Sequence, residues 1–514
     1  MFRTLKAEPG PSCALDLLDR VVIAYLLLPL LLFLFGWLEL WVAVPLALCV
    51  LYTLWPLVGS LPTDASRFPV SRLHLTVACL VGCLWTVFGG IGHFVFANTD
   101  WHIRDAVLHD LVVSPWPVGY GVFDGAQSLL RAPLGYYLPA ALVGKSLGLW
   151  MAHLAMGLWT AAGAALFLTQ VLSLTPSRTG VALAVAAIIV FFSGFDVLGQ
   201  IISNPRFLYL WNITQHIEWW AGAYQYSSMT TQLFWVPNHA LGGWLVIGLL
   251  ARDSRRSPLE AMLPMILIAA ALWSPLSALG LVPFILLKVL DCITRDRLLA
   301  LLHPRVWGPA LLVGLVIASF LTLDSARLPA ILTITADDFT MGVLRQLQFF
   351  LLEAGLIGFV VLALRWSWEI VLALVVLLIL PLVNFGPGND LVMRASIPSL
   401  AVLAIGVCRV LTEKTVDPRD SRKKLALGCM LAVGAVTPIQ EFARAILFPA
   451  WPVNLEATLI GAACGQYPPH YTAHLDGQFL TRLLRAPHPV PPEPPGRNSC
   501  FDPALWLMLG HKLP

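Results

Sequence analysis

The run Val21-Val22-Ile23-Ala24-Tyr25-Leu26-Leu27-Leu28-Pro29-Leu30-Leu31-Leu32-Phe33-Leu34-Phe35-Gly36 carries no charge and is nearly long enough to cross a hydrocarbon core. Inside lipid a backbone must satisfy its own hydrogen bonds, so such a run is expected to be a helix. Leu38–Val58 and Ile370–Leu382 read the same way. The whole chain of 514 residues follows suit, being 58% hydrophobic and 12% charged, with a mean hydropathy of +0.78. A soluble domain carries about twice that charge. A net charge of +3 argues against nucleic acid or a strongly acidic partner. The first apolar run leads straight into the second with no small-residue cleavage site, so no cleavable signal peptide is expected. No repeat with a period of roughly 20–50 residues is visible.

Hydropathy predicts an all-α, polytopic transmembrane helix bundle of about 13 spans, oriented by the excess of Lys and Arg in cytoplasmic loops. The spans are expected at 20–37, 39–59, 73–96, 147–172, 180–198, 236–251, 259–273, 277–291, 308–323, 346–364, 368–384, 397–412 and 425–441. Every second loop is basic: Arg3 and Lys6; Arg67 and Arg72; Arg178; Arg252, Arg255 and Arg256; Arg295 and Arg297; Arg365; then Lys414, Arg419, Arg422, Lys423 and Lys424. This pattern places the N-terminus in the cytoplasm. Trp273-Ser274-Pro275 divides 259–291 into two passes instead of one long helix.

The outer segments are then 97–146, 199–235, 324–345, 385–396 and 442–514, and their polar residues differ in kind from the short basic inner loops. The first opens Asn98-Thr99-Asp100-Trp101-His102-Ile103-Arg104-Asp105-Ala106-Val107-Leu108-His109-Asp110, with three Asp and two His in thirteen residues. If 101–113 is helical, Trp101, Asp105 and Leu108 share one face, and His102, Asp105 and His109 an adjoining one. A plain alternative is Asp100 as a helix N-cap and Trp101 as an interfacial aromatic.

The second outer loop holds His216-Ile217-Glu218-Trp219-Trp220 and, further on, Asn238-His239. On an extended segment His216 and Glu218 point the same way, as a divalent cation or a shared proton would require. The neighbouring aromatics suit either interfacial anchoring or stacking on a sugar ring. The third cluster, Asn389-Asp390-Leu391-Val392-Met393-Arg394, follows a Gly/Pro turn and begins an apolar span. An Arg there runs against the positive-inside bias. It reads either as a local Asp390–Arg394 pair at i,i+4 spacing or as a phosphate-binding guanidinium at a helix start. Asp337-Asp338 reads as a solvated acidic pair.

With Asp100-Trp101 just outside a span and His216-Ile217-Glu218 in the next outer loop, the sequence resembles the GT-C superfamily of polytopic glycosyltransferases. That superfamily includes oligosaccharyltransferases, protein mannosyltransferases and the aminoarabinose transferases of lipid A. The loop order matches over roughly residues 73–325. The sequence departs from the pattern in having two extra leading spans, a short first loop, and His216 where many members have Asp. The resemblance implies a GT-C-like core with outer-face loops and transfer of a sugar from a polyprenyl-phosphate or polyprenyl-diphosphate donor to a glycan, lipid or protein acceptor. Such an enzyme sits in a plasma membrane, a bacterial inner membrane being the expected one, in contact with membrane lipid. The same resemblance implies Asp100 as base with Asp105 as secondary candidate, Arg394 as phosphate partner, and His216 with Glu218 either positioning the acceptor or holding a divalent ion, Mg2+ or Mn2+, with the cofactor left open because only some members of the superfamily need a metal. Asn389, Asp390, Trp101, His102, Trp219, Asn238 and His239 complete the expected substrate site.

Residues 1–72 then form an N-terminal segment with two accessory spans, 73–441 the core, and 442–514 a Pro-rich tail outside the membrane. Of nine cysteines, only Cys464 and Cys500 fall outside, where an oxidising compartment allows them to pair. Two other functions fit a chain of this kind. An O-antigen polymerase or ligase would rely on Arg and His in large late loops, whereas here the acids cluster early. A lipid or glycan transporter or flippase would carry ionisable residues inside its spans, for which His153 and Glu353 are the main candidates.

Overall fold

The computed structural model describes residues 15–55, 70–222, 224–253, 259–291, 303–325, 330–332, 339–386, 388–475, 479–493 and 499–511. Arg3, Lys6, Arg67, Arg255, Arg256, Arg295, Arg297 and Asp337-Asp338 lie outside the described residues. The chain is mostly helical, as its apolar runs require.

Among the described residues seven helices are long and apolar enough to cross a membrane: Leu17–Trp37, Leu149–Leu172, Thr179–Ser203, Pro304–Leu321, Thr340–Leu364, Asp390–Thr412 and Pro418–Leu447. The expected count of about 13 spans is therefore not met. Of the remaining apolar stretches, 73–96 and 368–384 give the shorter helices Arg72–Phe88 and Trp368–Ile379, whereas 236–251, 259–273 and 277–291 are helical over about their expected length. Within 39–59 the described helix is Leu40–Thr53, about 21 Å at the helical rise, against a hydrocarbon core of roughly 30 Å. The stretch 236–251 becomes Pro237–Arg252, buried on every side from Pro237 to Leu249. Hydropathy cannot tell a helix enclosed by protein from one facing lipid.

The break at Trp273-Ser274-Pro275 is present, separating Leu259–Trp273 from Pro275–Asp291. Lys288 near the end of the second helix returns to Asp253, 2.8 Å away, so the pair forms a hairpin. Trp273 at its tip is fully buried and stacks on Tyr25, whose hydroxyl donates to the Trp159 carbonyl at 2.8 Å. A Cβ at Gly242 would stand 3.0 Å from the Trp273 side chain, so only a very small residue lets these helices approach. At the other end of the bundle Arg252 pairs with Asp16 and, at 2.9 Å, with Asp19. A residue expected only to mark orientation thus also ties two helices together.

The outer-loop regions are not wholly helical. Val118–Phe123 and Ala126–Leu130 form a hairpin, and the tail adds Thr472–His474 to one edge and His488–Pro489 to the other. Ser128 lies opposite His474 and Leu130 opposite Thr472 in antiparallel register, while Val118 runs parallel to His488. A second short ladder pairs Ala330–Leu332 with Val383–Phe385. The tail is thereby part of one structure with the first loop. Cys464 and Cys500 are joined by a disulfide within it, and the helix Val436–Leu447 runs across the boundary expected at 441/442.

Candidate functional site

The helix Asp100–Val113 places the first cluster. Asp100 is its first residue and not its cap, which is Thr99. Asn98 Nδ2 and Trp101 Nε1 both donate to the Phe234 carbonyl, at 2.8 and 3.1 Å. They satisfy an acceptor that the end of the helix Met229–Trp235 leaves without an intrahelical partner. Trp101 is therefore a buried strut and not an interfacial anchor.

The three acids of this helix have separate fates. Asp105 is sealed in the protein, 2.8 Å from His93 Nε2 and 3.8 Å from His153 Nδ1, and accepts from the Asn454 backbone at 3.4 Å. Burial pushes its carboxyl up, but His93 and His153 outweigh that and hold it below the ordinary value. Asp110 accepts from the Tyr120 hydroxyl and from the Leu459 backbone, each at 2.9 Å. Both carboxylates thus fasten the tail to the helix. Only Asp100 faces open space, with its side chain 41% exposed.

Asp100 lines a cavity of about 660 Å³. Beside it stands Arg104, one helical turn on, whose Nη2 donates to Asp100 Oδ2 at 2.8 Å. Arg104 Nη1 donates to Asn238 Oδ1 at 2.7 Å, and Asn238 neighbours His239, whose ring meets the Ser274 hydroxyl at 2.9 Å. Asn238 and His239 are buried behind Arg104 and do not line the cavity. His102 and Asp105 are absent from its walls too, because they lie on the helix faces turned into the protein.

His216 and Trp219 form part of another wall. Trp219 is 60% exposed and stacks on the His216 ring, with centroids 5.0 Å apart. The segment is a 3-10 turn, Ile217–Trp220, and not extended, so His216 and Glu218 do not share a face. Glu218 points inward and accepts from Ser228 N at 2.9 Å and Gln225 Nε2 at 2.8 Å. Burial, with the charge of Asp196, pushes its carboxyl up to about 8. Burial and the charge of Arg444 push the His216 imidazole down to about 3. A carboxyl held protonated, with both oxygens accepting hydrogen bonds, does not suit Mg2+ or Mn2+. Among the described residues no group of three or more His, Cys, Asp or Glu side chains gathers to hold a metal.

The third wall is the late turn. Asn389 adopts a left-handed conformation (φ 53°) and its side-chain oxygen accepts from the Phe385 backbone at 3.4 Å. This geometry starts the helix at Asp390, whose carboxylate pairs with Arg394 Nη2 at 2.8 Å. The local pair is formed, yet Arg394 Nε stays buried with no hydrogen-bond partner among the described residues, while the residue lines the cavity.

Three residues at the cavity were not singled out from sequence. Arg104 had an available signal, since Asp100 and Arg104 share the i,i+4 spacing of Asp390 and Arg394. His470 and Tyr471 come from the tail, fixed by the hydrogen bond from Arg131 N to the Tyr471 carbonyl at 2.7 Å. Burial and the charge of Arg394 lower the His470 imidazole to about 4. A second group of acids lies deeper, within the long apolar helices. Asp196 accepts from Ser193 at 3.0 Å and Thr437 at 2.8 Å. Glu353, in the π-helical turn Leu351–Gly355, accepts from Trp220 Nε1 at 2.7 Å.

Comparison of the chain with protein-family models, curated proteins and solved structures finds no match. The class defined by fold and site is thus an α-helical membrane-embedded protein with a polar cavity built from four separate chain segments.

Proposed function

We propose that the chain is a GT-C-like membrane glycosyltransferase that moves a sugar from a polyprenyl-phosphate-type donor to an acceptor on the non-cytoplasmic face. The observation that carries this reading is the meeting of Asp100, Trp219 and Arg394 around one cavity, though they lie on loops separated by more than a hundred residues. Each matches one demand of the reaction. The acceptor hydroxyl gives its proton to the Asp100 carboxylate, and its oxygen forms a bond to the anomeric carbon. The bond from that carbon to the phosphate oxygen breaks, and the leaving phosphate keeps the electron pair. Arg394 meets that charge with donors that Asp390 leaves free.

Arg104 orients the Asp100 carboxylate through a charge-assisted hydrogen bond. Trp219 offers an exposed ring face to a sugar. No step is routed through a metal, because His216 and Glu218 do not assemble a site for one. The donor's lipid tail enters from the bilayer, and the tail of the protein contributes His470 and Tyr471 to the cavity wall.

Asp100→Asn tests the reading in cells whose surface glycan depends on this chain. With normal protein abundance, the glycan is lost and its lipid-linked precursor accumulates. Normal glycan from a stably inserted variant removes Asp100 from the chemistry. Asp196 and Glu353, buried in the long helices, favour transport as the second reading. Under transport, Asp196→Asn together with Glu353→Gln stops movement of lipid-linked precursor across the bilayer while Asp100→Asn leaves transfer intact.

A further inference from the structure

A second cavity lies at the opposite end of the helix Asp390–Thr412. Arg394 looks into the first cavity and Arg409 into the second, about 22 Å apart along the axis at the helical rise. This second cavity measures about 460 Å³. One side of it is aliphatic, including Val361, Ile370, Val402, Ile405 and Val410 from three apolar helices. The other side is charged. Lys288 is bound to Asp253 at 2.8 Å, and Arg365 is paired with Glu413. The Glu369 carboxylate accepts from the Ser367 hydroxyl.

Arg409 differs from its neighbours. Among the described residues it forms no ion pair with a carboxylate, and its hydrogen bond is from Nη2 to the Ala251 carbonyl at 2.8 Å. Trp366 and Trp368 flank the opening, 65% and 64% exposed, as indole rings do at a membrane–water interface.

We propose that this cavity binds the headgroup of an anionic phospholipid. A phosphodiester needs a cation with free donors, which Arg409 provides with Arg365 beside it. The acyl chains attached to that headgroup need an apolar wall continuous with the bilayer, which the three aliphatic helices supply. A soluble phosphate ester would use the cations and leave the aliphatic wall in contact with water. The proposal is independent of the sugar-transfer reading, because it involves no residue of the Asp100 cavity.

The full chain, purified in detergent and stripped of lipid, is titrated with phosphatidylglycerol or with phosphatidylcholine of the same acyl chains and read by native mass spectrometry. Phosphatidylglycerol is retained in preference by about tenfold, because the ammonium of phosphatidylcholine would bring a like charge beside Arg365 and Arg409. Arg409→Gln removes the preference and Arg409→Lys keeps most of it. Val402→Trp, which fills the apolar wall without touching a charge, weakens retention. A photoactivatable phosphatidylglycerol labels 361–370 or 402–410 in the parent chain and not in the Arg409→Gln protein.

Equal retention of the two lipids overturns the proposal, as does an unchanged preference in a folded Arg409→Gln protein. Labelling confined to other segments also overturns it. Displacement of the lipid by millimolar inorganic phosphate alone assigns the site to a soluble anion and overturns the lipid assignment.

Discussion

Asp100 and Asp105 stand on the same helix, little more than one turn apart, and the protein treats them in opposite ways. Asp100 keeps an exposed carboxylate beside a single arginine at the edge of a large cavity. Asp105 is enclosed by two histidines and a backbone amide from the tail. The difference comes from the helical period: a step of five residues turns a side chain by about 140°. One carboxylate thus reaches the cavity while the other meets the helix Leu149–Leu172 and the tail. Residues of one type in one short segment can divide between a cavity wall and the protein interior, and burial shows which is which.

The largest expected effect that separates the two is on stability. Asp105→Asn removes the carboxylate shared by His93, His153 and the Asn454 amide, leaves buried polar groups without their acceptor and costs about 3 kcal/mol, read as a fall in thermal midpoint and in abundance. Asp105 has a lowered pKa in the folded state. Its contribution is therefore complete above the ordinary carboxylate range and is lost as pH falls through the folded value. An Asp105→Asn protein as stable as the parent at neutral pH would break the contrast.

Arg394→Gln acts on the other side of the comparison. On the proposed reading it lowers transfer by about 100- to 1,000-fold with little change in thermal midpoint, because the arginine would serve the leaving phosphate more than the fold. Trp219→Ala, at an exposed ring, raises KM for the donor or acceptor by about threefold to tenfold and leaves kcat close to the parent value.

Glu218→Gln acts on the pH dependence of stability, which titrations of thermal stability detect. Glu218 has a folded pKa near 8 against an ordinary 4.5, so the folded state holds the extra proton between these values. Stability of the parent chain therefore falls as pH rises through this window, and the variant lacks that slope. A parent slope of the opposite sign would mean that Glu218 is ionised, and would reopen its use as a ligand.

How much of this was legible beforehand follows from the range of the interactions. The helices were readable because apolar runs are local, and so was the break at Ser274, where Pro275 marks it. Their lengths were less so: a single span was expected over 73–96, and the helix stops at Phe88, before Gly89 and Gly90. Asp100, Trp219, Asn389, Asp390 and Arg394 were found as loop clusters, and the structure brings them to one cavity. Trp101, His102, Asp105, Asn238 and His239 were drawn from the same loops and lie behind its walls.

Which face a residue takes depends on partners distant in the chain, such as Phe234 for Trp101 and Asn454 for Asp105. No periodicity records those partners. His470 and Tyr471 enter through a sheet that joins segments more than three hundred residues apart, so a reading by segments had no means of seeing them.

The central claim is that the Asp100 cavity is where transfer occurs. It is tested most directly by measuring transfer from a lipid-linked donor per folded molecule in Asp100→Asn and Asp105→Asn proteins side by side. Asp100→Asn is expected to fall by about 100- to 10,000-fold at parent stability, while the surviving folded fraction of Asp105→Asn transfers at close to the parent rate. Equal losses per folded molecule, or activity retained by Asp100→Asn, would contradict the account.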